Sequence, residues 1–226
     1  GIHGAHDLKI FKDNVKDGDN VVDLGANIGY FTLILAKLVG PTGKVFAFEP
    51  DPRNLTLLKK NVEYNNYKNV IIVPKAVSNV NDKCTLYVGQ KTFGQNRIYK
   101  PEKTDTQKFI PMDSETIRLD DFFKANNLLD KISFIKMDIE GSEFLALSGM
   151  KEILKLNKNI KIFTEVETSY LEDAGSSYDQ FIDVLTENKF TLSLADNRNE
   201  ALIKVDRSQL KKILSSGDSV NVLCVR

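Results

Sequence analysis

Apolar positions along the chain follow two alternating rhythms. Short runs of consecutive hydrophobic residues predict buried strands at 20–24, 44–48, 70–73, 132–137 and 160–166. Between them, apolar residues recur at helical spacing. Ile28, Phe31, Leu35 and Leu38 mark a helix over 28–39, and Leu55, Leu58 and Val62 mark one over 52–65. Gly40-Pro41-Thr42-Gly43 ends the first of these. Further helices are expected at 119–126, 142–156 and 178–188. Strands at 190–194 and 220–225 close the chain as an antiparallel pair at one edge of the sheet. Such alternation implies βαβ units, a mostly parallel sheet and helices on both faces. No linker, repeat or low-complexity tract interrupts it, so one domain over 1–226 is expected.

One stretch breaks the rhythm. Residues 83–118 hold a short strand at 84–88 and then a polar excursion over 89–111. Its charges include Lys91, Arg97, Lys100, Lys103 and Lys108 against Glu102 and Asp105. A hairpin with a surface loop is expected there. Its functional reading is an acceptor-binding flap for an anionic substrate, and its plain reading is a solvated face.

Composition narrows the classes. Among 226 residues, 31 Lys+Arg balance 31 Asp+Glu, so a global nucleic-acid footprint is absent. The longest uncharged run, Leu24 to Ala36, is thirteen residues, too short to span a bilayer. No apolar segment follows the first residues as a signal peptide would require. Cys84 and Cys224 form no C-x-x-C pair, and a reduced, cytoplasmic setting is expected. No heptad or apolar patch indicates an oligomeric state.

The densest chemistry lies at 21–29, where a buried strand runs into a glycine turn and a helix. Gly25 permits a sharp turn, and Gly29 lets the helix start pack closely. The helix N-terminus offers free N–H groups at the carboxyl end of the sheet, where ligands of doubly wound folds bind. The dinucleotide pattern G-x-G-x-x-G fails, because Asn27 stands where its second glycine belongs. That spacing argues against a nicotinamide oxidoreductase. The phosphate loop G-x-x-x-x-G-K-[ST] fails at Gly43-Lys44-Val45. What remains is D-x-G-x-x-x-G, led by Asp23, whose carboxylate suits a ligand ammonium group. Glu49 ends the second strand, 26 residues on, where an acid can hold both hydroxyls of a ribose. An adenosine with an amino-acid tail, S-adenosylmethionine, combines the two. Capping by Asp23 and Glu49 is the plain alternative. Ala76 and Val77 follow the third strand, where an adenine ring could lie between apolar groups.

These segments resemble the FkbM-type S-adenosylmethionine-dependent methyltransferases. The resemblance rests on VVDLGANIGYFT at 21–32, FEPDPRNLTLLKKNVEYNN at 48–66, AVSN at 76–79, LDDFF at 119–123 and IKMDIEGSEFLALSGM at 135–150. It implies the class I methyltransferase-like (Rossmann-like) fold, a doubly wound mixed seven-stranded sheet with helices on both faces. It also implies methyl transfer to a hydroxyl, commonly on a sugar, lipid or secondary metabolite. Asp23, Gly25, Ala26, Asn27, Gly29, Glu49, Pro50, Ala76, Val77 and Asp138 would then hold the cofactor. Many relatives carry Glu-x-His after the fifth strand, where this chain has Glu165-Val166-Glu167. That departure keeps a second reading open: a non-catalytic nucleoside-binding scaffold of the same fold.

A second constellation, Lys136 to Glu143, leaves the fourth strand. Alternation places Lys136, Asp138 and Glu140 on one side while the chain stays extended. Asp138, Glu140 and Glu165, with Lys136 in support, are the candidate catalytic residues. Asp138 would accept the acceptor's proton or hold a ligand in place. Asp138 and Glu165, on adjacent strand ends, could instead bind a hard cation such as magnesium, or form an acid/base pair, or pair with Lys136. Glu143 is expected as an exposed acid that favours the helix dipole. The expected partner is a small-molecule or glycan hydroxyl acceptor.

Overall fold

The computed structural model describes residues 5–90, 94–101, 108–196, 201–215 and 219–226. Helix α1 (Ala5–Asn14) precedes strand β1 (Asn20–Leu24), helix α2 (Tyr30–Leu38), β2 (Lys44–Phe48), α3 (Pro52–Tyr64), β3 (Val70–Val73) and the short β4 (Ala76–Val77). A hairpin, β5 (Lys83–Gly89) and β6 (Phe109–Ile117), leads into α4 (Leu119–Ala125), β7 (Phe134–Met137), α5 (Glu143–Ser148) and α6 (Lys151–Leu156). The last third runs through β8 (Lys161–Val166), α7 (Thr168–Asp173), α8 (Tyr178–Glu187), β9 (Thr191–Asp196), β10 (Ala201–Val205), α9 (Arg207–Leu214) and β11 (Val220–Val225).

The main sheet has eight strands in the order β10-β9-β11-β8-β7-β1-β2-β3. From β8 to β3 neighbouring strands are parallel, and β11 runs antiparallel to both β8 and β9. The sheet is therefore mixed and doubly wound, but one strand wider than the seven expected. The extra strand is β10. Its sequence carries three exposed positions out of five, which hides the alternation of a half-buried strand. The expected terminal pair does form, yet β11 is interior and β10 takes the edge. The single helix expected over 142–156 is two helices. They part at Gly149, whose missing side chain lets the chain lie against the Ser78 carbonyl. A second sheet, β4-β6-β5, stands beside the first. Within the expected excursion, Lys91, Glu102, Lys103 and Asp105 lie outside the described residues.

Both faces of the sheet are buried, as near-continuous apolar strands require. On one face Val22, Leu24, Phe46 and Phe48 pack with Phe123, Leu147, Ile153 and Ile182 from the covering helices. On the other, Val21, Phe134 and Phe163 meet Phe11 of α1 and Leu35 of α2. Phe11 is fully buried and touches Phe31, Phe134 and Phe163 edge-on, with centroids 5.3, 5.6 and 5.2 Å away. Edge-to-face contacts add to simple burial because ring edges are electropositive and faces electronegative. No helix among the described residues is long and apolar enough to cross a membrane.

Phe11 thus pins α1 to the sheet. Phe11→Ala is expected to lower unfolding free energy by about 3–5 kcal/mol, the range for a buried Phe truncated to Ala. Chemical denaturation followed by circular dichroism measures this, and a loss below about 1 kcal/mol would show that α1 is dispensable to the core.

Candidate functional site

The carboxyl ends of β1, β2, β7 and β8 open into one cleft. The turn after β1 is built from left-handed residues: Gly25 (φ 75°), Asn27 (φ 50°) and Gly29 (φ 97°). At Gly25 a Cβ would run into the Asp138 carbonyl, so no other residue fits between β1 and β7. At Gly29 a Cβ would press on Leu58 Cδ1 at 2.7 Å, so this glycine serves the α2–α3 contact. The turn is tied to β2 by Gly25 N–H and Ala26 N–H, which donate to Phe48 O at 3.1 and 3.0 Å.

Behind the turn lies a buried ion pair. Lys136 Nζ donates to Gly25 O at 3.0 Å and stands 3.4 Å from Asp23 Oδ1 and 3.7 Å from Asp138 Oδ2. Burial works against the Lys136 charge. Asp23 and Asp138 outweigh it and raise its pKa. Asp23 is wholly buried, and Thr32 Oγ1 donates to its Oδ2 at 2.6 Å. Strand alternation turns Asp23 toward α2, so the residue expected to meet a ligand ammonium group is engaged inside the protein.

The cleft encloses about 740 Å3, its open mouth included, which is in the size range of cofactor sites. Of the expected residues, Gly25, Asn27, Glu49, Pro50, Ala76 and Val77 line it. So do Asp138, Glu140 and Glu165. Asp23, Ala26, Gly29 and Lys136 are not in its wall. Glu49 is buried and joins two turns: Asn27 N–H and Asp51 N–H donate to its carboxylate at 2.8 and 2.9 Å. Burial, with Asp51 adding repulsion, pushes Glu49 up to about 7.

Sequence reasoning missed several lining residues: Asn54, Leu86, Gly94, Asn96, Ile98 and Ser142. Asn54 Nδ2 lies 3.4 Å from Glu49 Oε1. Gly94, Asn96 and Ile98 belong to the excursion, read from the sequence as a flap for the acceptor or a solvated face, not as a wall of the cofactor cleft. Ser142 Oγ is buried in the wall with no hydrogen-bond partner among the described residues. An unsatisfied buried hydroxyl facing a cavity is what a hydrogen-bonding ligand would complete.

A second cavity shares Asp138, Glu140 and Glu165 with the first and adds Glu143, Glu167 and Tyr170, with Gln95 and Ser219 at its margin. Strand β7 ends at Met137, and the chain then turns through left-handed Glu140 (φ 54°) and Gly141 (φ 99°). Burial, then Asp138 and Glu165, push Glu140 up to about 8, with Arg97 opposing. Glu143 is buried rather than exposed. Its Oε1 accepts from Ile139 N–H at 3.1 Å, and burial pushes it to about 7. Glu165 is raised by burial and by Asp138, with which it shares a side-chain hydrogen bond. Repulsion from the neighbouring carboxyl group adds to burial in moving Glu165 that way. That contact stands where a bridging cation was an open reading. Among the described residues no group of three or more His, Cys, Asp or Glu side chains could hold a metal ion. The described residues therefore do not fit magnesium.

Residues 23–192 match the family model of the methyltransferase FkbM domain. "Methyltransferase 1" of Beauveria bassiana is 25% identical over 150 residues, covering 60% of this chain and 60% of that protein's length. "Methyltransferase sdnD" of Sordaria araneosa is 28% identical over 192 residues, 69% of this chain and 72% of that protein. The crystal structure of methyltransferase FkbM from Methylobacillus flagellatus KT superposes with a TM-score of 0.52 at 18% identity, over 97% of this chain and 50% of that one. The glycine turn, the Glu49 strand end and the β7 constellation all lie inside the matched region, and the fold around them is that of class I methyltransferases. This chain belongs to the FkbM family of S-adenosylmethionine-dependent methyltransferases.

Proposed function

We propose that the chain transfers a methyl group from S-adenosylmethionine to the hydroxyl oxygen of a small molecule or glycan. The observation that carries this reading is the meeting of Glu49, the Gly25 turn and the Asp138–Glu165 pair in one cleft. The cofactor supplies an electrophilic methyl group on a sulfonium sulfur.

The chain's own residues bind, orient and handle a proton. Glu49 would hold the ribose hydroxyls, its two oxygens already placed by Asn27 and Asp51. Phe48, Ala76, Val77, Leu86 and Ile98 give the apolar surface that a purine ring needs. Gly25 and Asn27 bring the turn close to the ligand. Asp23 acts from behind by holding Lys136, and Lys136 holds the Gly25 carbonyl and Asp138.

Asp138 and Glu165 face the acceptor side and would take up the hydroxyl proton at a carboxylate oxygen. Methyl transfer depends mainly on placing the oxygen in line, so proton uptake assists rather than drives it. The second cavity is lined by carboxylates and by Tyr170, with no lysine or arginine among its lining residues. That lining supports a neutral or cationic acceptor rather than the anionic one of the flap reading. Arg97 of the excursion packs against Tyr170 instead. A cytoplasmic setting is part of this reading, supported by the unpaired thiols Cys84 and Cys224.

Calorimetric titration with S-adenosylhomocysteine tests the site, with NAD as control. Micromolar affinity, about −8 kcal/mol, is expected for the first ligand and none for the second. Glu49→Gln should weaken that binding about ten-fold, the worth of one charge-assisted hydrogen bond. Unchanged affinity would remove the ribose role. Asp138→Asn should lower release of S-adenosylhomocysteine by about a hundred-fold, a usual share for a positioned base, with a smaller effect on affinity. Binding without turnover on any hydroxylated acceptor would favour the scaffold reading, and a methylated carbon in the product would exclude oxygen as the target.

The proton held at Glu143 also ties stability to pH. In the folded chain it is kept to about pH 7, whereas an ordinary glutamate releases it near 4.5. Between those values the folded state binds more protons than the unfolded one, so stability falls as pH rises. Glu143→Gln keeps an acceptor for Ile139 N–H and removes the titration. Its melting temperature should gain on the wild type between pH 5 and pH 8, and a variant that loses ground over that window would refute the assignment.

A further inference from the structure

The segment 94–99 faces two ways. Gly94, Asn96 and Ile98 line the cofactor cleft. Gln95 lines the acceptor cavity, Arg97 lies over the Tyr170 ring, and the Tyr99 hydroxyl donates to Glu140 O at 2.8 Å. Alternate residues of an extended segment point to opposite sides, which is why one short stretch can wall two chambers. The segment spans the cleft from end to end. Gly94 approaches Asn27 of the glycine turn, and Tyr99 reaches the turn after β7.

This wall is fixed at its middle and at its Tyr99 end. Tyr87 and Arg97 exchange backbone hydrogen bonds of 2.7 and 3.1 Å, which secures the segment to β5. Asn96 Nδ2 donates to Asp51 Oδ2 at 3.0 Å, beside Glu49. On the other side, the Arg97 guanidinium is 4.2 Å from the Tyr170 ring centroid and 5.4 Å from that of Phe109. Arg97 is only 3% exposed, where cation–ring attraction is strongest. Tyr170 belongs to α7, which also closes on the β7 turn: a Cβ at Gly141 would collide with the Tyr170 carbonyl. Arg97 therefore joins the wall of the cofactor cleft to a helix that does not line that cleft.

We propose that residues 94–99 form a shared wall that couples the two ligands, with Arg97 as a positioning residue that transmits cofactor binding to α7 and sets the acceptor cavity. This rests on the methyl-transfer reading above. A ligand against Gly94, Asn96 and Ile98 holds the wall. The wall holds Arg97 and Tyr99; Arg97 holds Tyr170, and Tyr99 holds the Glu140 turn. Coupling between two sites is reciprocal, so an acceptor seated on Tyr170 would tighten cofactor binding by the same factor.

The test needs only S-adenosylhomocysteine as probe and amide hydrogen exchange as readout. Calorimetry first establishes binding to the wild type. Saturating probe should then slow exchange in segment 94–99, and also at the hydrogen-bonded amides of Leu171, Ala174 and Gly175, by about five-fold or more. In Arg97→Met the slowing at 94–99 should persist while that at 171–175 is lost. Arg97→Lys keeps the charge without the planar stack and should recover part of it. Tyr170→Leu cuts the same link from the other side and serves if Arg97→Met melts too low to assay. Binding that protects 94–99 but never 171–175, or protection at 171–175 that survives both substitutions, overturns the coupling alone. No heat from a folded wild-type sample would overturn the methyl-transfer reading and the coupling with it.

Discussion

The site depends on one buried cation. Lys136 is only 3% exposed, yet its charge is kept because Asp23 and Asp138 stand on either side of it. A buried charge without partners would be shed or would unfold its surroundings. Here the cation does three tasks from one position. It neutralises the carboxylate that ends β1, holds the carbonyl of the glycine turn, and fixes the first acid beyond β7. The parallel register places Asp23 opposite Lys136 on neighbouring strands, so the pair is built into the sheet itself. Removing Lys136 would leave the buried Asp23 carboxylate with only the Thr32 hydroxyl to answer its charge.

Around that fixed point the acids share one direction of shift. Glu49, Glu140 and Glu143 are all held near or above neutrality by burial, and Glu165 is moved the same way. The cleft thus concentrates carboxyl groups without concentrating an equal negative charge. A cluster that shares protons can receive one more from a hydroxyl and pass it on, whereas fully ionised neighbours would repel each other apart. Arg97 adds the opposing charge at Glu140 from a segment remote in sequence.

What could be read from the chain follows from how local its causes are. The Gly25 turn, the Glu49 strand end and the Asp138 constellation are each written within a few residues, as strand, turn chemistry and charge. Asp23 was expected to meet a ligand ammonium group, and its internal partners were not legible, since Thr32 and Lys136 come from a helix and another strand. The break at Gly149 depends on the Ser78 backbone, seventy residues earlier, and leaves no periodic trace. Segment 94–99 is polar and irregular in sequence, and only the tertiary fold shows that its alternate residues serve two chambers. Strand β10 was hidden because an edge strand exposed at most positions lacks the apolar run of its interior neighbours.

The place of β11 has a consequence for the order of assembly. Its residues pair on one side with β8, where Asn221 stands opposite Glu165, and on the other with β9. Until Val220–Val225 has left the ribosome, β8 presents an unsatisfied edge and the β9–β10 hairpin has no seat. The parallel half of the sheet can form during synthesis, but the acceptor side waits for this non-local pairing, the slow kind of contact in folding. A chain cut short before Val220 would carry a nearly complete cofactor half with an open, aggregation-prone strand edge. Synthesis of β11 is thus the event that joins the parallel half of the sheet to β9 and β10.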